Sequence, residues 1–143
     1  MYKNILLNKE KEIDVVGGNI YHVIKKTSEG FNGFGEAYFS SIDYGFVKAW
    51  KRHKQMTLNI CVPIGAIKFV LFDDRNKKKS KFQEYLISEN NNHRLTIPPM
   101  VWFGFIGLSE NTSMLLNIAD IIHTPSEVDR KEPDFFDYEW SLL

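Results

Sequence analysis

Met56-Thr57-Leu58-Asn59-Ile60-Cys61-Val62 is the stretch whose reading decides the fold. Successive side chains of an extended chain point to opposite sides, so Met56, Leu58, Ile60 and Val62 share one face and Thr57, Asn59 and Cys61 the other. Pro63-Ile64-Gly65 breaks this strand, and Ala66-Ile-Lys-Phe-Val-Leu-Phe72 resumes as a hydrophobic strand that ends at Asp73-Asp74-Arg75. Upstream, Ile20-Tyr-His-Val-Ile-Lys-Lys26, Glu36-Ala-Tyr-Phe-Ser-Ser41 and Phe46-Val-Lys-Ala-Trp50 read as strands. Between the first two lie Gly30, Gly33 and Gly35, whose freedom suits sharp turns. Downstream, strands are expected at 82–88, 93–97, 100–107 and 112–119, with turn signals at Asn90-Asn91-Asn92 and Pro98-Pro99. Strands about 8–12 residues apart, with no sustained helical period, define an all-β sandwich or barrel.

The chain of 143 residues fits one domain, 1–143, with residues 1–18 as a lead-in and 126–143 as a tail packed back on the barrel or on a partner subunit. Hydrophobic residues make up 43% and aromatic ones 14%, enough for a core that needs no staple. Eighteen basic residues balance eighteen acidic ones, which argues against a nucleic-acid partner. The single cysteine, Cys61, has no internal partner and reads as a buried thiol in a reducing compartment. The N-terminal stretch matches neither a signal peptide nor a membrane span, so a cytoplasmic protein without membrane contact is expected.

Residues 36 to 140 resemble the dTDP-4-dehydrorhamnose 3,5-epimerase family, especially its short members. The resemblance rests on colinear strings: Gly35-Glu36-Ala-Tyr-Phe-Ser, Phe46-Val-Lys-Ala-Trp-Lys-Arg-His53, Val62-Pro-Ile-Gly65, Phe72-Asp-Asp-Arg75, Leu86-Ile-Ser-Glu-Asn90, Leu95-Thr-Ile-Pro-Pro-Met-Val-Trp-Phe-Gly-Phe105 and Leu108-Ser-Glu110. It implies a cupin-type jelly-roll barrel, a homodimer, and a nucleotide-linked 4-keto-6-deoxy sugar as substrate. It also implies an isomerase without metal or redox cofactor, serving polysaccharide or glycan precursor synthesis. In the family a His removes the proton alpha to the ketone, a Tyr reprotonates the other face, and a cation steadies the enolate. Such a step needs a base with a pKa near the working pH and charge stabilisation where the enolate forms.

The strings depart from that pattern at three places. Lys51 stands where the family has its basic His, Phe103 replaces a second His, and the family Tyr falls near Leu116 or Asn117, neither of which donates that proton. His53 lies two residues beyond Lys51, on the same face of a regular strand. Two arrangements follow: His53 as base with Lys51 as the cation on the keto oxygen, or Lys51 itself as a base of lowered pKa. Regular alternation turns Lys48 away from Lys51, yet the family has a phosphate-binding Arg at Lys48, where a Lys would serve as a point charge.

The remaining substrate-binding candidates are Asn59 and Asn117, polar residues in apolar strands that need partners; Glu36, beside the aromatic Tyr38; Arg75; and Trp102 and Phe103, whose rings could stack on a sugar or base. For Asp74 and Arg75 a salt-bridged strand end is the competing reading. A cupin metal site needs a His-x-His, a Glu and a later His. Only His53 fits, and His22, His93 and His123 lack ligand spacing, so no metal is expected. The alternative to an enzyme is a catalytically inactive cupin that binds a sugar nucleotide or partners a sugar-modifying enzyme.

Overall fold

The computed structural model describes residues 2–142. In chain order its strands are β1 (Leu6–Lys9), β2 (Glu12–Ile13), β3 (Ile20–Tyr21), β4 (Glu36–Ile42), β5 (Val47–His53), β6 (Leu58–Ile64), β7 (Ala66–Asp73), β8 (Lys81–Ser88), β9 (His93–Ile97), β10 (Trp102–Gly107), β11 (Ser113–Ala119) and β12 (Val128–Arg130). Two five-stranded antiparallel sheets form, in the orders β1-β9-β6-β11-β4 and β12-β5-β10-β7-β8, and β2 and β3 make a separate hairpin. This is the all-β, single-domain architecture expected from the alternation, in the jelly-roll form that the family resemblance implies. Among the described residues, the only helical pieces are 3₁₀ turns at Lys77–Lys79 and Pro125–Glu127.

The inner faces of the sheets enclose one apolar core. Leu58 and Ile60 of β6 meet Phe69 and Leu71 of β7, Phe103 and Phe105 of β10, and Leu115 of β11. β6 continues through Pro63 to Ile64, so the break comes at Gly65 rather than at Pro63. Gly65 has φ +80°, and a Cβ there would lie 2.3 Å from the Ser113 hydroxyl, so the turn excludes a side chain on two grounds. The strand expected over 20–26 pairs only at Ile20–Tyr21, because its sole ladder partner is the two-residue β2.

A second, aromatic cluster lies on the outer face of the β5-β10-β7 sheet. Trp50, Val70 and Trp102 are buried there beneath Phe136, Tyr138 and Trp140 of the tail. The tail is pinned by backbone bonds, Trp50 N–H to the Lys131 carbonyl at 2.7 Å and Lys131 N–H to the Trp50 carbonyl at 3.0 Å. The Trp50 indole N–H also donates to the Pro133 carbonyl at 3.1 Å. Truncating a ring as buried as Trp50 costs about 3–5 kcal/mol. This packing delivers residues 130–135 to the mouth of the barrel.

Candidate active site

A cavity of about 760 Å³ opens between the inner faces of the two sheets and the tail. That volume suits a small organic ligand. One wall carries Tyr38, Ser40, Leu58, Ile60, Leu115 and Asn117; the facing wall carries Lys48, Lys51, Phe103 and Phe105; the tail adds Arg130, Lys131, Glu132, Asp134 and Phe135. Four cations thus meet two carboxylates around an apolar floor.

The placement of Lys48 corrects the expectation of plain alternation. β5 pairs with β10 through Lys51↔Phe103 and Lys48↔Phe105, with a register shift between them. Three steps along β5 therefore oppose two along β10. Such a bulge turns both lysines to one side, since residues paired directly across a ladder share a face. Gly104 makes room for it: a Cβ there would lie 2.5 Å from the Ala49 Cβ. The Lys48 ammonium donates to the Ser41 carbonyl at 2.7 Å. Burial, then the nearby charges of Arg130 and Lys48, lowers the Lys51 pKa below its ordinary 10.5, and Glu127 opposes the shift only in part.

His53 shares the inward side of β5 but is not among the residues lining the cavity. It is 3% exposed and stacks on Phe103, with centroids 6.1 Å apart and rings 15° from parallel. Its Nδ1 is held by the Glu127 carboxylate. Glu127 also accepts the backbone N–H groups of Gln55 at 3.1 Å and Met56 at 3.3 Å. Burial alone would raise the Glu127 pKa, but the bonds from His53 and these two amides hold it below the ordinary 4.5. Burial lowers the His53 pKa below 6.5, and Glu127 offsets this incompletely. The pair at neutral pH is a carboxylate accepting from a neutral imidazole, with Nδ1 as the protonated nitrogen.

The other candidates divide sharply. Phe103 lines the cavity, whereas its neighbour Trp102 points outward into the tail cluster beneath the Arg52 guanidinium, 4.6 Å from its ring. Asn117 lines the cavity, is 1% exposed, and donates to the Tyr38 hydroxyl at 3.1 Å. Asn59 faces the opposite side of its sheet. There it accepts from Arg94 at 2.5 Å and from Thr96 at 2.7 Å, and donates to the Gly30 carbonyl at 3.1 Å. Expected at the ligand, it instead binds the strap around Gly30 to the barrel. Glu36 accepts the His123 backbone N–H at 2.7 Å, away from the cavity. Arg75 folds onto Asp73 at 2.8 Å and the Lys3 carbonyl at 2.8 Å, the salt-bridged strand end. Asp73 makes that bridge, where Asp74 was expected to share it.

Sequence reasoning missed Tyr38, Ser40, Glu127, Arg130 and Lys131. Tyr38 and Ser40 could have been found from alternation along β4. Glu127 and the tail cations could not, because only the return of the chain after β11 brings them to the site. Burial pushes the Cys61 thiol up to about 11, consistent with an inert core residue. Among the described residues no group of three or more His, Cys, Asp or Glu could hold a metal ion. Among the described residues no helix is long and apolar enough to cross a membrane.

A jelly-roll barrel with a cation-rimmed mouth and a half-buried lysine on its wall defines a cupin-type small-molecule site. A dTDP-sugar isomerase from Desulfovibrio desulfuricans G20 is 34% identical in sequence and superposes with a TM-score of 0.87, over 93% of this chain and 87% of that one. The chain belongs to the dTDP-4-dehydrorhamnose 3,5-epimerase-like family of dTDP-sugar isomerases. A probable low-salt glycan biosynthesis epimerase of Haloferax volcanii is 28% identical over 102 residues, 68% of this chain and 62% of that protein. The spore coat polysaccharide biosynthesis protein SpsL of Bacillus subtilis is 29% identical over 100 residues, 68% of this chain and 66% of its own length. The match thus spans just under two thirds of each of these two relatives. A dTDP-4-dehydrorhamnose 3,5-epimerase of Bacillus anthracis, 18% identical with a TM-score of 0.82 over 92% of this chain and 80% of that one, shares the fold. No family model matches the sequence.

Proposed function

We propose that this protein is an epimerase or ketoisomerase of a nucleotide-linked 4-keto-6-deoxy sugar, abstracting a proton alpha to the ketone, in glycan or polysaccharide precursor synthesis. The observation that carries this reading is Lys51, a lysine of lowered pKa on the wall of a cavity rimmed by Lys48, Arg130 and Lys131. A neutral lysine is a competent base for a carbon acid, and burial beside like charges raises its neutral fraction. The rim cations suit a diphosphate, and Phe103, Phe105 and Phe135 suit a sugar or base face.

His53 takes a different part from the one first assigned to it. Clamped by Glu127 and covered by Phe103, it stiffens the strand beneath Lys51. Lys48 stabilises the developing enolate or the diphosphate from the same wall. The family relationship and the roles of the relatives, in glycan and spore-coat polysaccharide biosynthesis, support the pathway class.

A homodimer fits the surface. β4 is an edge strand with an unpaired side, and Phe34, Phe39 and Phe46 stand exposed near it. The unpaired buried thiol of Cys61 suits the cytoplasm.

The test is incubation with a dTDP-linked 4-keto-6-deoxyhexose in heavy water, followed by NMR. Deuterium entry at C3 or C5, or conversion to an isomer, is the expected result. Measurable binding without exchange above buffer would contradict the reading.

A further inference from the structure

Asn76-Lys77-Lys78-Lys79-Ser80-Lys81, between β7 and β8, takes no part in the cavity. All six residues are exposed, and the 3₁₀ turn Lys77–Lys79 buries none of its side chains. Its backbone closes on itself: the Asn76 side chain accepts the Lys78 N–H at 3.1 Å, and the Asn76 carbonyl accepts the Lys79 N–H at 2.9 Å. The turn is therefore a fixed base for four flexible ammonium groups. Over residues 73–81 five cations face two carboxylates. One carboxylate, Asp73, is taken up by Arg75, whose Nε and Nη2 reach its two oxygens at 2.8 and 2.9 Å. None of the four lysines has an ion-pair partner among the described residues. Like charges crowded on one turn repel one another, and an anionic partner relieves that repulsion. The Arg75 guanidinium also lies 5.2 Å from the Tyr2 ring, which is 61% exposed at the same corner.

We propose that this turn is a docking surface for an anionic lipid bilayer, which holds the protein weakly and reversibly at a membrane surface. The inference does not depend on the chemistry of the cavity. It departs from the expectation of a protein without membrane contact, because a contact of this kind lies on the bilayer and needs no spanning segment. Lysine suits such a partner. Its ammonium is a compact point charge on a flexible stem, without the planar fork with which arginine grips a single carboxylate or phosphate. It matches an array of mobile headgroups better than one fixed anion. A nucleic-acid strand fits less well, because no aromatic ring alternates with the lysines to stack on bases. Tyr2 has the amphipathic ring that sits at headgroup level. Each lysine near an anionic bilayer strengthens binding about fivefold, so four give about 600-fold over a neutral bilayer.

The experiment measures co-sedimentation of the full chain with vesicles of phosphatidylcholine alone and of phosphatidylcholine mixed with phosphatidylglycerol. It compares wild type with a triple variant, Lys77→Gln, Lys78→Gln and Lys79→Gln. A charge-matched control carries Lys11→Gln, Lys25→Gln and Lys26→Gln, whose lysines are exposed elsewhere. Wild type should bind the anionic vesicles and not the neutral ones. Its binding should weaken as the screening length shrinks from about 30 Å at about 0.01 M salt to about 8 Å at about 0.15 M. The triple variant should bind about 100-fold more weakly, while the control stays within about threefold of wild type. Melting curves of both variants should match wild type, since every changed residue is exposed. Equal binding to neutral and anionic vesicles, or equal loss in the variant and the control, would overturn the proposal. Binding to polyglutamate or single-stranded DNA without binding to vesicles would overturn it too, by making the partner an acidic polymer.

Discussion

Asn59 and Asn117 lie on neighbouring strands and meet opposite fates. In the β6–β11 ladder Asn117 pairs with Ile60, and Asn59 with Ile118, so the two amides point to opposite sides of the same sheet. Both are almost fully buried. On the outer side Asn59, Thr96 and Arg94 satisfy one another beneath the strap at Glu29 and Gly30, and Glu10 lies 3.4 Å from Arg94. Of the polar side-chain atoms in that cluster only Arg94 Nε lacks a partner among the described residues. On the inner side Asn117 has one bond, one idle acceptor, and an open cavity in front of it. A closed polar network holds a structure together, whereas one left open toward a cavity waits for a ligand.

This contrast can be broken most forcefully at Lys51. Lys51→Ala should lower turnover about 1000-fold, the range of a removed acid–base group, with the melting temperature nearly unchanged. Steady-state kinetics and thermal unfolding check it together. Asn59→Leu should do the reverse. It removes the acceptor that Arg94 and Thr96 share and should cost about 1–3 kcal/mol of stability in denaturant titration, while the folded fraction keeps its turnover.

Acid should expose the Glu127–His53 pair. Both folded-state pKa values lie below their ordinary values of 4.5 and 6.5. Below about pH 6.5 the unfolded chain gains a proton on His53 that the folded chain resists, so stability falls as pH falls. Glu127 adds a further loss below its unfolded 4.5, as pH drops through its folded value. Melting curves between pH 8 and 4 should show a steady decline, and Glu127→Gln should flatten the lowest part. The smallest effects belong to Glu36→Gln and Arg75→Ala, whose partners lie off the cavity. Turnover should stay within about twofold of wild type, as for surface changes remote from a site.

The strands were legible because alternation and turn residues are local. β9 has the bounds that its sequence implies, and β4, β7 and β11 differ from theirs by one residue. Which face of β6 meets the cavity was not legible. Alternation shows two faces but not that residues near Gly30 cover the polar one. The shared facing of Lys48 and Lys51 was hidden for a similar reason, since the bulge depends on Gly104, more than fifty positions away in the chain. Tyr38 was visible as a strand aromatic, but its bond to Asn117 follows only from the register of β4 on β11. Glu127, Arg130 and Lys131 reach the site because the tail's aromatic residues bury themselves against Trp50, a tertiary event with no local period.

The central claim is that Lys51 takes the proton. The direct measurement is the rate of solvent-deuterium entry into a dTDP-linked 4-keto-6-deoxyhexose between pH 5 and 10, for wild type and Lys51→Ala. The account predicts a wild-type rate that rises with pH along a limb below the 10.5 of an ordinary lysine and is absent from the variant. Equal rates and an unchanged profile in Lys51→Ala would contradict it.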